Sequence, residues 1–173
     1  AAALDAEGFF ATGDLGERTD DGGVRVVGRV KNVIKLGQGE FVAIDRIEAD
    51  LTSCPLVDQL FIHPDASSSS LLAVVVPRSA ALARALGVAE ESPLRELAAH
   101  PEAALAIVRA LSEHGRRAGL ASFELPRAVL VEPEPFTVAS GLLTASGKLA
   151  RAVAVTHYAT RLAELGRAAP PLT

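Results

Sequence analysis

The chain is organised around the stretch Gly28-Arg-Val-Lys-Asn-Val-Ile-Lys-Leu-Gly-Gln-Gly-Glu-Phe-Val42. The β-branched residues on both sides of the basic segment Arg29-Val-Lys31 predict two strands joined by a tight connection. The Gly37-Gln-Gly39 loop then leads into a helix that begins near Ala43. Glycines in such a loop allow close approach of another backbone or of a ligand. On its own, this pattern is compatible with many folds.

The remaining sequence predicts an α+β fold, in which helices cover a small, mainly antiparallel sheet. The continuous apolar run Leu71–Val76 is typical of a central strand that is buried on both faces. The longest predicted helix, over 101–118, has a predicted buried stripe of Leu105, Val108 and Leu111. Other strands are predicted at 8–16, 24–28, 56–63 and 128–131, and other helices at 43–51, 80–86, from 92, and from 147 to 165.

Composition narrows the class of protein. The 173 residues are enough for one domain, or for one domain and a fragment of another. A net charge of −4 gives no reason to expect nucleic acid or an anionic membrane as a partner. We expect no membrane span, because the apolar runs are too short, and no secretory signal is visible. The single cysteine, Cys54, fits a reducing compartment, so the sequence predicts a cytoplasmic protein.

Three motifs together resemble a known family. They are Ala11-Thr-Gly-Asp14, the stretch 28–42, and Leu142-Leu-Thr-Ala-Ser-Gly-Lys-Leu-Ala-Arg151. All three resemble the last motifs of adenylate-forming enzymes, the superfamily of acyl-CoA ligases, peptide-synthetase adenylation domains and carboxylic acid reductases. The segment Ile34-Lys-Leu-Gly-Gln-Gly-Glu-Phe-Val42 is most similar to the corresponding motif of carboxylic acid reductases, and next to that of long-chain acyl-CoA ligases.

This resemblance implies a domain organisation. Residues 1–29 would be the tail end of the large N-terminal adenylation lobe, and residues 30–166 the C-terminal adenylation subdomain. Residues 167–173, with Pro170-Pro171, would start a linker. The phosphate-binding loop and the acyl pocket of the family belong to the large lobe, and their motifs are missing from this sequence. We therefore expect the fragment alone to be inactive.

Lys148 is the predicted catalytic residue. The sequence places it in the first turn of the last predicted helix, with Arg151 one turn on. Two cations at a helix N-terminus are unfavourable unless an anion binds there, although an exposed lysine on a frayed helix end is the plain alternative. The resemblance implies that Lys148 contacts the carboxylate substrate and the nucleotide phosphate.

The resemblance implies roles for other residues as well. Asp14 would bind the ribose of ATP or AMP and Arg29 the ribose and phosphate, whereas the plain alternatives are a turn-stabilising aspartate and a surface arginine. Lys31 would be the hinge about which the small lobe swings between two poses. Glu48 is predicted to be structural. The face presented to the thiol acceptor would consist of Gly37, Gln38, Gly39 and Glu40.

The activity implied by the resemblance has two steps. A carboxylic acid and Mg-ATP give an acyl-adenylate and pyrophosphate, and the acyl group then passes to a thiol. In a carboxylic acid reductase the thiol is phosphopantetheine on a carrier domain in cis, and NADPH reduction releases an aldehyde. In a long-chain acyl-CoA ligase it is coenzyme A. A non-catalytic nucleotide- or protein-binding module is the alternative from another class. No metal site is expected within the chain itself, because its histidines and Cys54 lack ligand spacing.

Overall fold

The computed structural model describes residues 4–37, 39–65 and 70–169. Two predicted features, Gln38 of the thiol-acceptor face and the Pro170-Pro171 start of a linker, lie outside the described residues. The chain divides into two compact units, Ala1–Arg46 and Ile47–Thr173.

The first unit contains two antiparallel hairpins. Strands β1 (Asp14–Arg18) and β2 (Val24–Arg29) pair with each other, as do β3 (Val33–Lys35) and β4 (Phe41–Ala43). The predicted hairpin across residues 29–31 is therefore wrong, since a 3₁₀ turn joins β2 to β3. Tight hairpin turns need residues that accept positive φ, and glycines provide them in both observed turns but not in the Arg-Val-Lys segment.

The strand predicted over 8–16 begins only at Asp14. Gly13 adopts φ +76°, which interrupts an extended backbone immediately before that residue. Residues 9–13 therefore precede the strand without forming part of it.

The second unit is built on a three-stranded sheet with the order β5-β6-β7, where β5 is Val57–Pro64, β6 is Leu71–Pro77 and β7 is Pro126–Val131. Strand β6 lies in the centre and all of its residues are buried, which confirms the prediction of a central strand. It runs antiparallel to β5 and parallel to β7. The parallel pair requires a long crossover, and the helices between β6 and β7 provide it.

Helices cover this sheet, which confirms the α+β prediction. Helix α1 begins in the first unit and ends in the second; α4 packs on β7, and α5 contacts all three strands of the sheet. The helices are α1 (Ile44–Thr52), α2 (Ser79–Leu86), α3 (Leu94–Ala98), α4 (Ala103–Arg117) and α5 (Arg151–Ala168).

The buried face of α4 differs from the predicted stripe. Leu105 is 43% exposed. The fully buried positions recur every four residues and are Ala103, Ile107, Leu111 and Gly115. Small residues at both ends of this row allow the helix to lie close to its neighbours, which a count of large apolar side chains does not detect.

Helix α5 closes one face of the sheet. Phe61 of β5 and the alternate β6 residues Leu72, Val74 and Val76 form a core cluster with Tyr158 of α5. The segment between β7 and α5 adds two large side chains to the same cluster, Phe136 and Leu142. This segment carries Lys148, so its path is set by the core beneath it.

Candidate functional site

Asp14 and Arg29 are brought together by the first hairpin. They are cross-strand partners in β1 and β2, and the Arg29 Nε lies 3.1 Å from an Asp14 carboxylate oxygen. The Asp14 N–H donates to the hydroxyl of Thr12 at 3.1 Å, which holds the start of β1. The Asp14 and Arg29 side chains are 31% and 56% exposed. An exposed pair of this kind contributes about 0–1 kcal/mol to stability, so the fold does not depend on it.

Lys31 lies in the middle of the 3₁₀ turn Val30–Asn32, and its side chain is exposed. The next side chain is anchored, because the Asn32 amide donates to both Asp45 carboxylate oxygens at 2.8 and 2.9 Å. The Val30 N–H, on the other side, donates to the Gly13 carbonyl at 2.8 Å. The predicted hinge residue thus lies between two anchored neighbours in one short turn.

The predicted thiol-acceptor face is the loop between β3 and β4. The Leu36 N–H donates to the Glu40 carbonyl at 2.7 Å, and the Gly39 N–H donates to the Leu36 carbonyl at 2.9 Å. Gly39 adopts φ +101°, which is why glycine is needed there. Gly37 and Glu40 are both exposed. The loop therefore presents backbone and a carboxylate to its surroundings.

An aromatic side chain that is not among the predicted site residues adjoins this loop. Phe41, the first residue of β4, is 66% exposed. The Lys35 ammonium group lies 5.7 Å from the centre of its ring, within the range of a cation–π contact. An exposed phenylalanine beside a glycine loop is a feature that sequence periodicity cannot predict, since alternation places it on either face.

Lys148 lies at the end of a small hairpin, between β7 and α5. The Thr144 N–H donates to the Lys148 carbonyl at 2.8 Å, and the Lys148 N–H donates to the Thr144 hydroxyl at 3.2 Å. Leu143 and Leu149 form an isolated bridge at the base of this hairpin. The turn requires φ +75° at Gly147, and the Lys148 side chain is exposed.

The predicted position of Lys148 within a helix is wrong. Helix α5 begins at Arg151: the positive φ of Gly147 is not helical, and hairpin hydrogen bonds engage the Lys148 carbonyl and the Ala150 N–H. Arg151 is also directed elsewhere: its guanidinium donates to a Glu48 carboxylate oxygen at 2.5 Å and to the Ile62 carbonyl at 3.1 Å. The two cations therefore do not share an anion at one helix N-terminus. Glu48, for which a structural role is predicted, is hydrogen-bonded to the Ile62 N–H and to Arg151.

The pKa values of Tyr158 and His63, both in the second unit, are perturbed. Burial raises the pKa of Tyr158, and the neighbouring Glu132 carboxylate raises it further, so this phenol stays neutral in the usual pH range. Burial lowers the pKa of His63, Asp65 opposes that effect and Arg151 adds to it. His63 lines a groove of about 300 Å³ between the end of β5 and helix α5. Neither residue belongs to the predicted site.

The predicted absence of a metal site concerned the histidines and Cys54. Cys54 is buried and has a free thiol. Across residues 4–37, 39–65 and 70–169, the structure contains no group of three His, Cys, Asp or Glu side chains that could hold a metal ion.

Comparison with known proteins identifies the family. Over 165 residues the chain is 38% identical to the carboxylic acid reductase of Mycobacterium tuberculosis, covering 95% of this chain. It is 36% identical over 165 residues to peroxisomal long chain acyl-CoA synthetase 7 of Arabidopsis thaliana, covering 94%. The chain belongs to the adenylate-forming superfamily. No protein-family model matches the chain.

A solved structure supports the same assignment of this adenylate-forming chain. The adenylation–carrier didomain of the carboxylic acid reductase from Segniliparus rugosus, in complex with AMP, has a TM-score of 0.80 and 36% identity. The match covers 94% of this chain and 21% of that structure. The fold is that of the C-terminal lobe of reductase adenylation domains.

The chain spans only part of its adenylate-forming relatives. It covers 13% of the mycobacterial reductase and 23% of the plant synthetase. The activities of those whole proteins therefore do not pass directly to this chain. Within the part of the chain that is described, no helix combines the length and apolarity needed to cross a bilayer.

Proposed function

We propose that this chain is the mobile C-terminal subdomain of an ATP-dependent, carboxylate-activating enzyme of the carboxylic acid reductase type. The observation that carries the proposal is the 38% identity over 95% of the chain to such a reductase. Residues 1–29 would end the large adenylation lobe, residues 30–166 would form the subdomain, and residues 167–173 would start a linker. A cytoplasmic location stays a prediction from the single cysteine.

The proposed reaction begins with activation of the acid. A carboxylate oxygen attacks the α-phosphorus of ATP, an O–P bond forms and pyrophosphate leaves, which gives an acyl-adenylate. A thiol sulfur then attacks the acyl carbon, a C–S bond forms and AMP leaves. In a reductase the thiol belongs to phosphopantetheine on a carrier domain, and NADPH-dependent reduction in a further domain releases an aldehyde. The Segniliparus didomain, which includes a carrier domain and binds AMP, supports this scheme.

Lys148 would act in the activation step. The acid and the α-phosphate are both anionic, so a cation between them reduces their repulsion and stabilises the charge that develops. The exposed hairpin supports this role, because it holds the lysine backbone by hydrogen bonds and leaves the ammonium group accessible. We propose that the hairpin inserts Lys148 into the large lobe during activation.

Asp14 and Arg29 would bind the nucleotide. A carboxylate can accept hydrogen bonds from both hydroxyls of a ribose, and an adjacent guanidinium offers donors to ribose and phosphate oxygens. Asp14 and Arg29 are partly exposed cross-strand partners, and the Arg29 Nε lies 3.1 Å from an Asp14 carboxylate oxygen. This arrangement fits binding of ribose hydroxyls and a phosphate at one place. Magnesium would arrive with the ATP phosphates, since it is commonly bound by one or two carboxylates together with substrate phosphates.

Lys31 would be the hinge between two poses. One pose would place Lys148 for activation, and the other would present the loop of Gly37, Gln38, Gly39 and Glu40 to the incoming thiol. The short turn that contains Lys31 between anchored neighbours supports this assignment, because a rotation there needs to change few backbone dihedrals.

We prefer a carrier domain over free coenzyme A as the acceptor. An exposed phenylalanine favours docking of a protein surface, since aromatic residues are enriched at protein interfaces, and Phe41 adjoins the loop. A tethered thiol also reaches an effective concentration of about 1 mM without further contacts. Coenzyme A would need a cluster of cations for its 3′-phosphate. The sequence near the loop offers just two, Lys31 and Lys35, which argues against free coenzyme A. The ligase remains the second candidate because of the 36% identity to the plant synthetase.

The full-length enzyme that contains this chain tests the proposal. We expect acid-dependent ATP–pyrophosphate exchange, and aldehyde when acid, ATP and NADPH are supplied with the phosphopantetheinylated carrier. Efficient acyl-CoA formation without aldehyde would replace the reductase by the ligase. Absence of any acid-dependent exchange would favour a non-catalytic nucleotide- or protein-binding module. Residues 1–173 alone should show negligible exchange, because one lysine, one aspartate and one arginine cannot hold ATP and an acid in place.

A further inference from the structure

A closed three-way contact in the second unit joins the side chains of Glu48 and Arg151 to the backbone N–H and C=O of Ile62. One Glu48 carboxylate oxygen accepts the Ile62 N–H at 2.8 Å, and the other accepts the Arg151 guanidinium at 2.5 Å. The same guanidinium donates to the Ile62 carbonyl at 3.1 Å. This contact, named here the clasp, joins α1, the sheet and the start of α5.

The clasp lies at the edge of the sheet. Among the residues that the structure describes, strand β5 has only β6 as a sheet neighbour. The outward-facing N–H and C=O of Ile62 are covered by the two charged side chains. The Arg151 guanidinium also lies 5.5 Å from the centre of the Phe61 ring. The side chains of Glu48 and Arg151 are 16% and 30% exposed, so the pair is largely withdrawn from water. Ion pairs of this kind are geometrically specific.

An arginine at this position is not explained by the helix. Arg151 is the first residue of α5, where the positive end of the helix dipole disfavours a cation. The Glu48 carboxylate offsets that repulsion, and it holds the Arg151 guanidinium at the first turn of α5. The partners are 103 residues apart in sequence, so a local turn does not account for the contact.

The start of α5 is connected rigidly to the Lys148 hairpin. The Ala150 N–H donates to the Leu142 carbonyl at 2.8 Å, and Leu149 bridges Leu143. Leu142 is buried in the core under α5. Only Leu149 and Ala150 separate Lys148 from Arg151, and both contact the hairpin, so we expect a shift of Arg151 to move Lys148.

We infer that the clasp is a positioning device that sets where Lys148 is presented during acid activation. The inference rests on the proposed role of Lys148. A clasp that only covered the sheet edge would affect stability and both half-reactions alike. A positioning clasp affects the half-reaction that uses Lys148, and leaves the thiol transfer, from which Lys148 is withdrawn, nearly unchanged.

The test uses Glu48→Gln and Arg151→Lys in the full-length enzyme, and Arg151→Lys serves if Glu48→Gln fails to fold. We expect kcat for acid-dependent ATP–pyrophosphate exchange to fall about 10- to 100-fold, since a misplacement of 1 Å can cost 10²-fold. KM for ATP and transfer from a supplied acyl-adenylate to the thiol should stay within about threefold. Glu132→Gln and Arg161→Lys are matched controls. In this second ion pair the Arg161 guanidinium of α5 donates at 2.7 Å to the carboxylate of Glu132, the residue after β7, and neither residue belongs to the Lys148 hairpin.

A double-mutant cycle separates the inference from the proposed function. With Lys148 already replaced by alanine, Glu48→Gln should reduce exchange by no more than about twofold further, because both changes act through one group. Equal losses in both half-reactions, a fully additive double variant, or the same selective loss in the controls would overturn the positioning role. If Lys148→Ala alone leaves exchange intact, the proposed role of Lys148 fails, and the clasp role fails with it.

Discussion

Lys148→Ala is the substitution with the largest expected effect on activity and the smallest on the fold. The Lys148 side chain is exposed, and the hydrogen bonds that hold its hairpin come from the main chain and from Thr144. Alanine retains each of these main-chain groups. The free energy of unfolding should therefore change by less than about 0.5 kcal/mol, as at most exposed sites.

The expected loss of activity is much larger. Removing one preorganised group that stabilises a developing oxyanion costs about 3–4 kcal/mol, which corresponds to about 10²- to 10³-fold in kcat. The assay is acid-dependent ATP–pyrophosphate exchange by the full-length enzyme. Transfer from a supplied acyl-adenylate to the thiol should change by less than about threefold, because the other pose does not use Lys148.

Arg109→Ala provides the matched control. Arg109 is an exposed cation on the outer face of α4, so its removal alters net charge equally without touching the hairpin. It should leave both half-reactions unchanged. A loss of exchange below about tenfold for Lys148→Ala, or a similar loss for Arg109→Ala, would refute a specific role of the lysine in activation.

Three further perturbations test the proposed hinge in the first unit, and the packing and the pH-dependent stability of the second unit. Lys31→Pro should slow thiol transfer and leave exchange within about threefold, because proline fixes φ at the proposed hinge; equal losses in both half-reactions would contradict it. Gly115→Ala should destabilise the chain by about 1 kcal/mol in urea, since overpacking outweighs the gain in helix propensity. The new methyl group at residue 115 would overlap the Leu125 side chain. Gly119→Ala is the control for backbone strain alone, because Gly119 has φ +83° and no atom lies within 4 Å of the added methyl group. A Gly115→Ala chain that is more stable than the parent would refute the packing argument. The free energy of unfolding should fall as the pH drops below 6.5, because burial lowers the pKa of folded His63 and the unfolded chain then binds more protons. His63→Gln should reduce that slope, and an unchanged slope would show that other groups cause it.

The sequence predicted the elements whose signals are local. Helix α1 and the central strand β6 follow from apolar residues at helical spacing and from a continuous apolar run. The positions of the three family motifs, which include Asp14, Arg29 and Lys148, could also be found from the sequence, because each motif is a contiguous stretch. The roles of these residues stay predictions.

Local signals failed where turn chemistry or packing decided the result. The hairpin expected at residues 29–31 was wrong because that segment lacks a residue suited to positive φ, and the nearby glycines turn the chain elsewhere. The helix predicted from residue 147 places Lys148 in its first turn. The positive φ of Gly147 and the hairpin hydrogen bonds of Lys148 and Ala150 keep these residues outside α5, which begins at Arg151.

The family motifs could be recognised in the sequence because each is contiguous, and the α+β class and most helices and strands could be predicted because backbone preferences act between near neighbours. The buried face of α4, the pairing of Asp14 with Arg29 across a hairpin and the exposure of Phe41 depend instead on the folded structure. It also joined Glu48 to Arg151 across 103 residues. Contacts of that separation depend on how the helices pack against the sheet, and no local pattern in one sequence encodes the partner.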